Sequence, residues 1–204
     1  MSVRDTSIDP RLLQSAKEEF TQHGFLKAEL KTICARAGVT TGAVYKRYKG
    51  KEELFQAIVR DAAEKLDHFI TDRAGTDYSV MTDEEIRRVW TMDEESILEM
   101  FRMLWEIREE FVLLLEKSAG TVYENYGHDF AFRMTQAYMR HYREARKRGL
   151  ATAKISEREM HVLCSAFWTA IYEPFIHHMP FSEIEGHCKV ICRYFNWAEA
   201  ISMK

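Results

Sequence analysis

The stretch AGVTTGAVYKRYKGKEEL, residues 37–54, crowds glycines, adjacent hydroxyls, two tyrosines and several cations between helical segments. Lys46, Arg47, Lys49 and Lys51 stand there beside Tyr45 and Tyr48. A solvated helix can carry such charges without a role, whereas a surface that sits on phosphates requires them. The flanks give the stretch its setting. Asp9-Pro10 opens a helix, because Asp caps free amides and Pro fits the first turn. Leu12, Leu13, Ala16 and Phe20 follow at helical spacing, and Gly24 closes that helix. A second helix runs from about Ala28 to Ala37, with Gly38 suited to a left-handed stop. Thr40 or Thr41 caps a very short third helix carrying Val44, Tyr45 and Tyr48. A fourth starts near Lys51 and carries Leu54, Phe55, Ile58, Val59, Ala62, Leu66 and Phe69. Helix, short Gly-containing turn and helix inside a basic segment form a helix-turn-helix layout.

Bulk properties agree. A chain of 204 residues is long enough for a small head on a larger body. With 46% apolar and 30% charged residues, and only 3 Pro and 9 Gly, it reads as a folded, helix-rich protein. No window approaches 18 uninterrupted apolar residues, so no membrane partner is expected. The N-terminus lacks the apolar core of a secretory signal, which makes the cytoplasm the expected compartment. Cys34, Cys164, Cys188 and Cys192 lack paired CxxC spacing and read as free thiols. Charge is uneven: residues 1–60 hold 11 Lys and Arg against 7 Asp and Glu, and the remainder 18 against 25. A basic head on an acidic body points to a polyanion partner for the head.

The run from Arg11 to Leu54 resembles the N-terminal domain of the TetR family of transcriptional regulators, through RLLQSAKEEFTQHGF, TICARAGVTTGAVYKRY and KGKEEL. The resemblance implies an all-α fold. It implies a three-helix helix-turn-helix DNA-binding domain over residues 6–66, with the motif at 29–48. A helical effector-binding and dimerisation domain over 67–204 would follow. By that resemblance Thr40 caps the recognition helix, Thr41 faces bases, and Gly42 and Ala43 permit close approach. Tyr45 bonds a phosphate and Lys46 reaches a base or phosphate. Arg47 and Tyr48 complete the motif, and Lys51 anchors the DNA backbone. The sequence departs from the family at Glu29, where Thr or Ser usually caps the second helix, at Cys34 for Ala and at Tyr48 for Phe.

Downstream, helices are expected over Thr82–Trp90, over a long segment from Met92 to Gly120, and from Thr121 to a basic close at Arg146-Lys147-Arg148. Two further helices are expected over Ser156–Met179 and Ser182–Ile201. The last two are apolar on more than one face, and a surplus of that kind favours a two-fold homodimer. Phe167, Ile171, Phe175, Ile191, Tyr194 and Phe195 are the candidate interface. Phe101, Met103, Trp105, Phe130, Met134, Tyr138 and Trp168 are candidates for a pocket taking a small apolar or aromatic effector. A double-stranded operator is the expected partner of the head.

Other readings of the chain are weaker. His177, His178, His187, Cys188 and Glu173 invite a metal, but their spacing across Pro180 shows no convergence, so no metal or cofactor is expected. No phosphate loop or nucleophile motif suggests an enzyme. Cys188 and Cys192 lie one helical turn apart, which leaves a thiol-based redox sensor as an alternative. Glu29 leaves a helical adaptor without DNA binding as another.

Overall fold

The computed structural model describes residues 8–75 and 77–204; residues 6 and 7, where the head is expected to begin, lie outside them. The described residues are all-helical: α1 (Ile8–Lys27), α2 (Leu30–Ala37), α3 (Thr41–Tyr45), α4 (Lys51–Gly75), α5 (Asp83–Trp90), α6 (Glu94–Glu106), α7 (Arg108–Glu116), α8 (Tyr126–Lys147), α9 (Glu157–Ile176), α10 (Phe181–Tyr194) and α11 (Trp197–Ala200). They form two compact units. One runs to Lys65 and includes Glu109–Tyr126; the other comprises Leu66–Arg108 and Gly127–Lys204.

In the first unit, helical geometry in α1 breaks at Gly24 (φ 69°, ψ 166°), a conformation open essentially to glycine alone. Upstream of the break Leu12, Ala16 and Phe20 are fully buried. Phe20, Phe25 and Phe55 of α4 form a cluster with ring centroids 5.0–6.0 Å apart. Ile33, Cys34 and Ala37 bury one face of α2, and Gly38 (φ 68°) ends it. The Lys17 ammonium pairs with Glu109 and Glu110, and the Phe25 amide donates to the Lys117 carbonyl, so α7 is fastened to α1.

The start of α2 corrects the sequence reading. The helix begins at Leu30, and the Glu29 side chain makes no cap hydrogen bond. Glu19 of α1, only 2% exposed, instead accepts from the Glu29 amide at 3.2 Å, with Arg36 3.5 Å from its other oxygen. The capping carboxylate therefore comes from the neighbouring helix, and Glu29 points to solvent.

Other boundaries shift for local reasons. The long segment divides at Ile107 (φ −111°, ψ 18°), whose amide bonds three residues back to Leu104. Ile107 is itself buried, so the apolar stripe continues across the break and spacing does not reveal it. Helix α8 begins at Tyr126, because Ser118 and Thr121 hold the preceding residues in turns. The last expected helix is two. Pro180 precedes α10 without a side-chain cap, in place of the expected Ser-Glu start, and Asn196 caps α11. Helix α9 starts as expected, with a reciprocal capping box between Ser156 and Glu159.

In the second unit, Cys164, Phe167, Trp168, Ile171 and Phe175 of α9 and Ile184, Cys188 and Ile191 of α10 are buried. Arg148, just past α8, is a fastening point. Its guanidinium reaches Glu144, the carbonyls of Tyr78, Ser79 and Met81, and Asp83.

Glu19→Ala removes the only acceptor recorded for the Glu29 amide among the described residues. It is expected to destabilise the protein by about 1–3 kcal/mol, read from the urea unfolding midpoint.

Candidate nucleic-acid interface

Thr40 adopts an extended backbone (φ −89°, ψ 154°), and its hydroxyl accepts from the Ala43 amide at 3.2 Å, which caps α3. Val44 is fully buried and fixes the rotation of the helix. That rotation turns Thr41, Gly42, Tyr45 and Lys46 to solvent, with Tyr45 61% exposed, while Ala43 is half-buried. A Cβ at Gly42 would meet only the Thr40 hydroxyl, at 3.8 Å, so no crowding within the chain demands glycine there.

The remaining motif cations do different work. Arg47 is turned inward, its side chain 8% exposed, with Nε 2.5 Å from an Asp9 carboxylate oxygen and a terminal nitrogen donating to the Ala43 carbonyl. Lys51 donates to the carbonyls of Leu26 (3.2 Å) and Ala28 (3.0 Å), and its ammonium lies 4.5 Å from the centre of the Phe25 ring. Burial lowers its pKa. Tyr48 is half-buried. The Lys49 amide is held by the Glu53 carboxylate near the start of α4. The structure thus brings Thr40 to Lys46 onto one exposed corner and sets Arg47 and Lys51 behind it. Asp9, read as a cap of the first helix, instead lies within α1 and holds Arg47, and Glu19 holds the start of α2. Both roles escaped the sequence reading, because each joins α1 to a residue outside that helix.

The second unit contains a cleft of about 420 Å³. Tyr138 is the one candidate pocket residue that lines it, joined by Phe167 from the candidate interface. Part of the wall is Tyr78, Met81 and Val89, from a segment read only as connection and a short helix, and Met92, the first residue of the expected long segment. Phe101 stacks on Phe175 at 5.9 Å, and Phe130 lies tilted against Trp168 at 4.1 Å. Met134 is buried, Met103 and Trp105 are half-buried, and none of these lines that cleft.

Four candidate interface residues, Phe167, Ile171, Phe175 and Ile191, are buried within their own unit, because each helix uses its bulkiest stripe for its own core. Phe195 is half-buried and Tyr194 is 80% exposed. The large apolar side chains left exposed on α9 and α10, among the described residues, are Val162, Val190 and Tyr194.

Among the described residues no three His, Cys, Asp or Glu side chains converge to hold a metal ion. His177 pairs with Glu173 at 3.0 Å, and His187 bonds the Ala170 carbonyl. Burial pushes the thiol of Cys188 up to about 11, that of Cys164 up to about 12, and raises that of Cys192. These shifts disfavour the reactive thiolate. No described helix is long and apolar enough to cross a membrane.

Comparison with known proteins covers the segment that contains the corner. Residues 12–58 match the family model described as bacterial regulatory proteins, tetR family. The HTH-type transcriptional regulator UidR of Escherichia coli strain K12 is 36% identical over 55 residues, which cover 27% of this chain and 28% of UidR. The chain therefore spans less than a third of that relative. In fold it is similar to SmeT, the repressor of the Stenotrophomonas maltophilia multidrug efflux pump SmeDEF. That likeness has TM-score 0.60 and 20% identity, covering 98% of this chain and 90% of SmeT. It is also similar to the transcriptional regulator FadR from Bacillus subtilis in complex with stearoyl-CoA, with TM-score 0.58 and 12% identity, covering 91% and 96%. A SmeT–triclosan complex is similar too, with TM-score 0.61 and 21% identity, covering 96% and 91%.

The corner divides residues that hold the fold from residues that face outward, and stability measurements separate them. Thr40→Ala is expected to cost about 1 kcal/mol through the lost cap. Tyr45→Ala is expected to stay within about 0.5 kcal/mol, as for other exposed positions. Thermal melts of both variants check the contrast.

Proposed function

We propose that this chain, which belongs to the TetR family by its head, is a homodimeric repressor released from a palindromic operator by a small apolar or aromatic effector. The outward face of α3 is the observation that carries the reading. Thr41, Gly42, Tyr45 and Lys46 are exposed together while Val44 and the Thr40 cap fix the helix beneath them. In this reading Thr41 touches base edges, and Gly42 and Ala43 let the helix approach the groove floor. Tyr45 and Lys46 bind phosphates. Arg47 and Lys51 act chiefly by bracing the corner, through Asp9 and through the Leu26 and Ala28 carbonyls. Tyr48, half-buried, serves the same bracing. The functional head is residues 6–66, with the motif at 29–48, and residues 67–204 receive the effector and dimerise.

A recognition helix of five residues makes few base contacts, so two copies on one face of the duplex are needed for specificity. The exposed Val162, Val190 and Tyr194 supply the surface through which two copies pair. The effector reading draws on the apolar, aromatic cleft and on triclosan and stearoyl-CoA, the molecules held by the SmeT and FadR structures. A redox-sensing alternative gains nothing from Cys188, whose thiol is buried and pushed up to about 11.

Selection of bound duplexes from a random pool, at near-physiological salt, tests the DNA reading. A palindrome should be enriched, and Thr41→Ala should change which bases are preferred. Lys46→Ala should weaken binding to all sequences and lower the salt slope by about one. Absence of both enrichment and salt-sensitive binding would instead favour the helical adaptor.

Assembly is checked separately by sedimentation. Tyr194→Asp places a charge on the proposed pairing face and is expected to shift the dimer towards monomer and to weaken operator binding. A monomeric wild-type chain that still selects a palindrome would refute the pairing surface.

A further inference from the structure

His141 of α8 stands apart from the polar residues around it. The residue is only 1% exposed, and neither ring nitrogen has a hydrogen-bond partner among the described residues. Its ring lies 4.3 Å from that of Tyr78 and is stacked on Trp90 at 5.4 Å and 9°. It also lines the cleft of the second unit. The other polar groups in that wall are largely committed. Glu85 accepts from the amide and hydroxyl of Thr82, Asp93 does the same for Ser96, and the Thr91 hydroxyl donates to the Arg87 carbonyl. Trp197 also lines the cleft, and its indole N–H is buried and without a partner among the described residues. Buried polar groups are nearly always satisfied, so unpartnered ring nitrogens on two residues of one cleft wall call for a ligand that satisfies them.

Resting on the effector reading above, we infer that the cleft takes an aromatic carboxylic acid, with its carboxylate against His141 and the Trp197 N–H and its ring among the aromatic walls. Tyr138 and Trp197 present stacked rings 5.1 Å apart, a surface suited to a flat ligand, and Met81, Met92 and Met100 adapt to its outline. A cleft of this volume falls within the roughly 300–1,000 Å³ that holds drug-sized molecules. Arg88 of α5, exposed at the cleft, is the one cation among the described lining residues, which also hold the engaged carboxylates of Glu85 and Asp93.

Proton balance gives the inference a signature. Burial pushes the imidazole down to about 4, so it is neutral near pH 7. The groups facing the cleft are Glu85 and Arg88 from α5, Asp93 before α6, and the phenols of Tyr78 and Tyr138. Phe167 of α9 and Trp197 of α11 add no titratable group. Glu144, one turn along α8, is engaged by Arg148. A carboxylate arriving beside the neutral ring stabilises its protonated form, so the ring takes one proton from solvent and becomes a cation paired with the ligand anion. Because protons are taken up on binding, affinity falls as pH rises, by up to about tenfold per pH unit.

The test titrates the full chain, followed by tryptophan fluorescence, with benzoate, 2-naphthoate and biphenyl-4-carboxylate, each against its own amide. At least one acid should bind about tenfold or more tighter than its amide near neutral pH. Its affinity should fall with rising pH, and calorimetry in two buffers of different ionisation enthalpy should register uptake of about one proton. His141→Phe should abolish both the preference for acid over amide and the pH dependence; His141→Gln repeats the measurement should the Phe variant fail to fold. If every amide binds as well as its acid, or the best acid binds without proton uptake or equally well to the His141 variants, the inference is wrong. These titrations need no DNA. A chain that binds the acid yet selects no operator would sink the repressor reading and leave the ligand assignment standing.

Discussion

A helix of five residues has no stability of its own in water, so the outward face of α3 depends on what holds it from behind. Three contacts do so. Val44 is inserted fully into the core of the head, Thr40 caps the first turn, and Arg47 ties the end of the helix to Asp9 and back to the Ala43 carbonyl. Remove the buried Val44 anchor and neither the cap nor the ion pair has a fixed helix to act upon. This explains how a motif rich in cations can fold and still present charge outward. Arg47 faces inward against a carboxylate, which leaves Lys46 to face out at the same corner.

The head was legible in the sequence because its decisive signals are local. Gly38 permits a left-handed stop, Thr40 lies three residues before the amide it caps, and Val44 occupies the inward position between half-buried Ala43 and exposed Tyr45. Glu29 misled for the opposite reason. Its amide is satisfied by Glu19, ten residues earlier on another helix, and no short-range pattern records that pairing. The body was legible only in outline. Spacing tells that Phe101, Phe130 and Phe167 face inward, but not whether inward means the core or a cleft. Phe101 and Phe130 proved to lie against Phe175 and Trp168, whereas Phe167 lines the cleft. Part of the cleft wall comes from residues 78–91, where periodicity is short or absent.

That irregular wall is held by one side chain. Arg148 donates to three carbonyls of the segment, at Tyr78, Ser79 and Met81, while Glu144 and Asp83 balance its charge. A planar guanidinium with donors in a rigid fork can serve several carbonyls at once, which an ammonium on a flexible stem does poorly. The basic close of α8 therefore does more than complement the helix dipole. It fixes Tyr78, and Tyr78 lies against the ring of His141.

Any effector that alters DNA affinity must interact differently with two states of the protein. Helix α4 is the element that both units share in sequence. It opens with Lys51, bound to the Leu26 and Ala28 carbonyls in the first unit, and continues to Phe69, which lines the cleft in the second. The helix that carries Phe69 is thus the one whose first residue braces the α1–α2 turn. Because packed side chains tolerate discrete rearrangements better than gradual ones, a shift of α4 either carries that turn with it or breaks the Lys51 bonds.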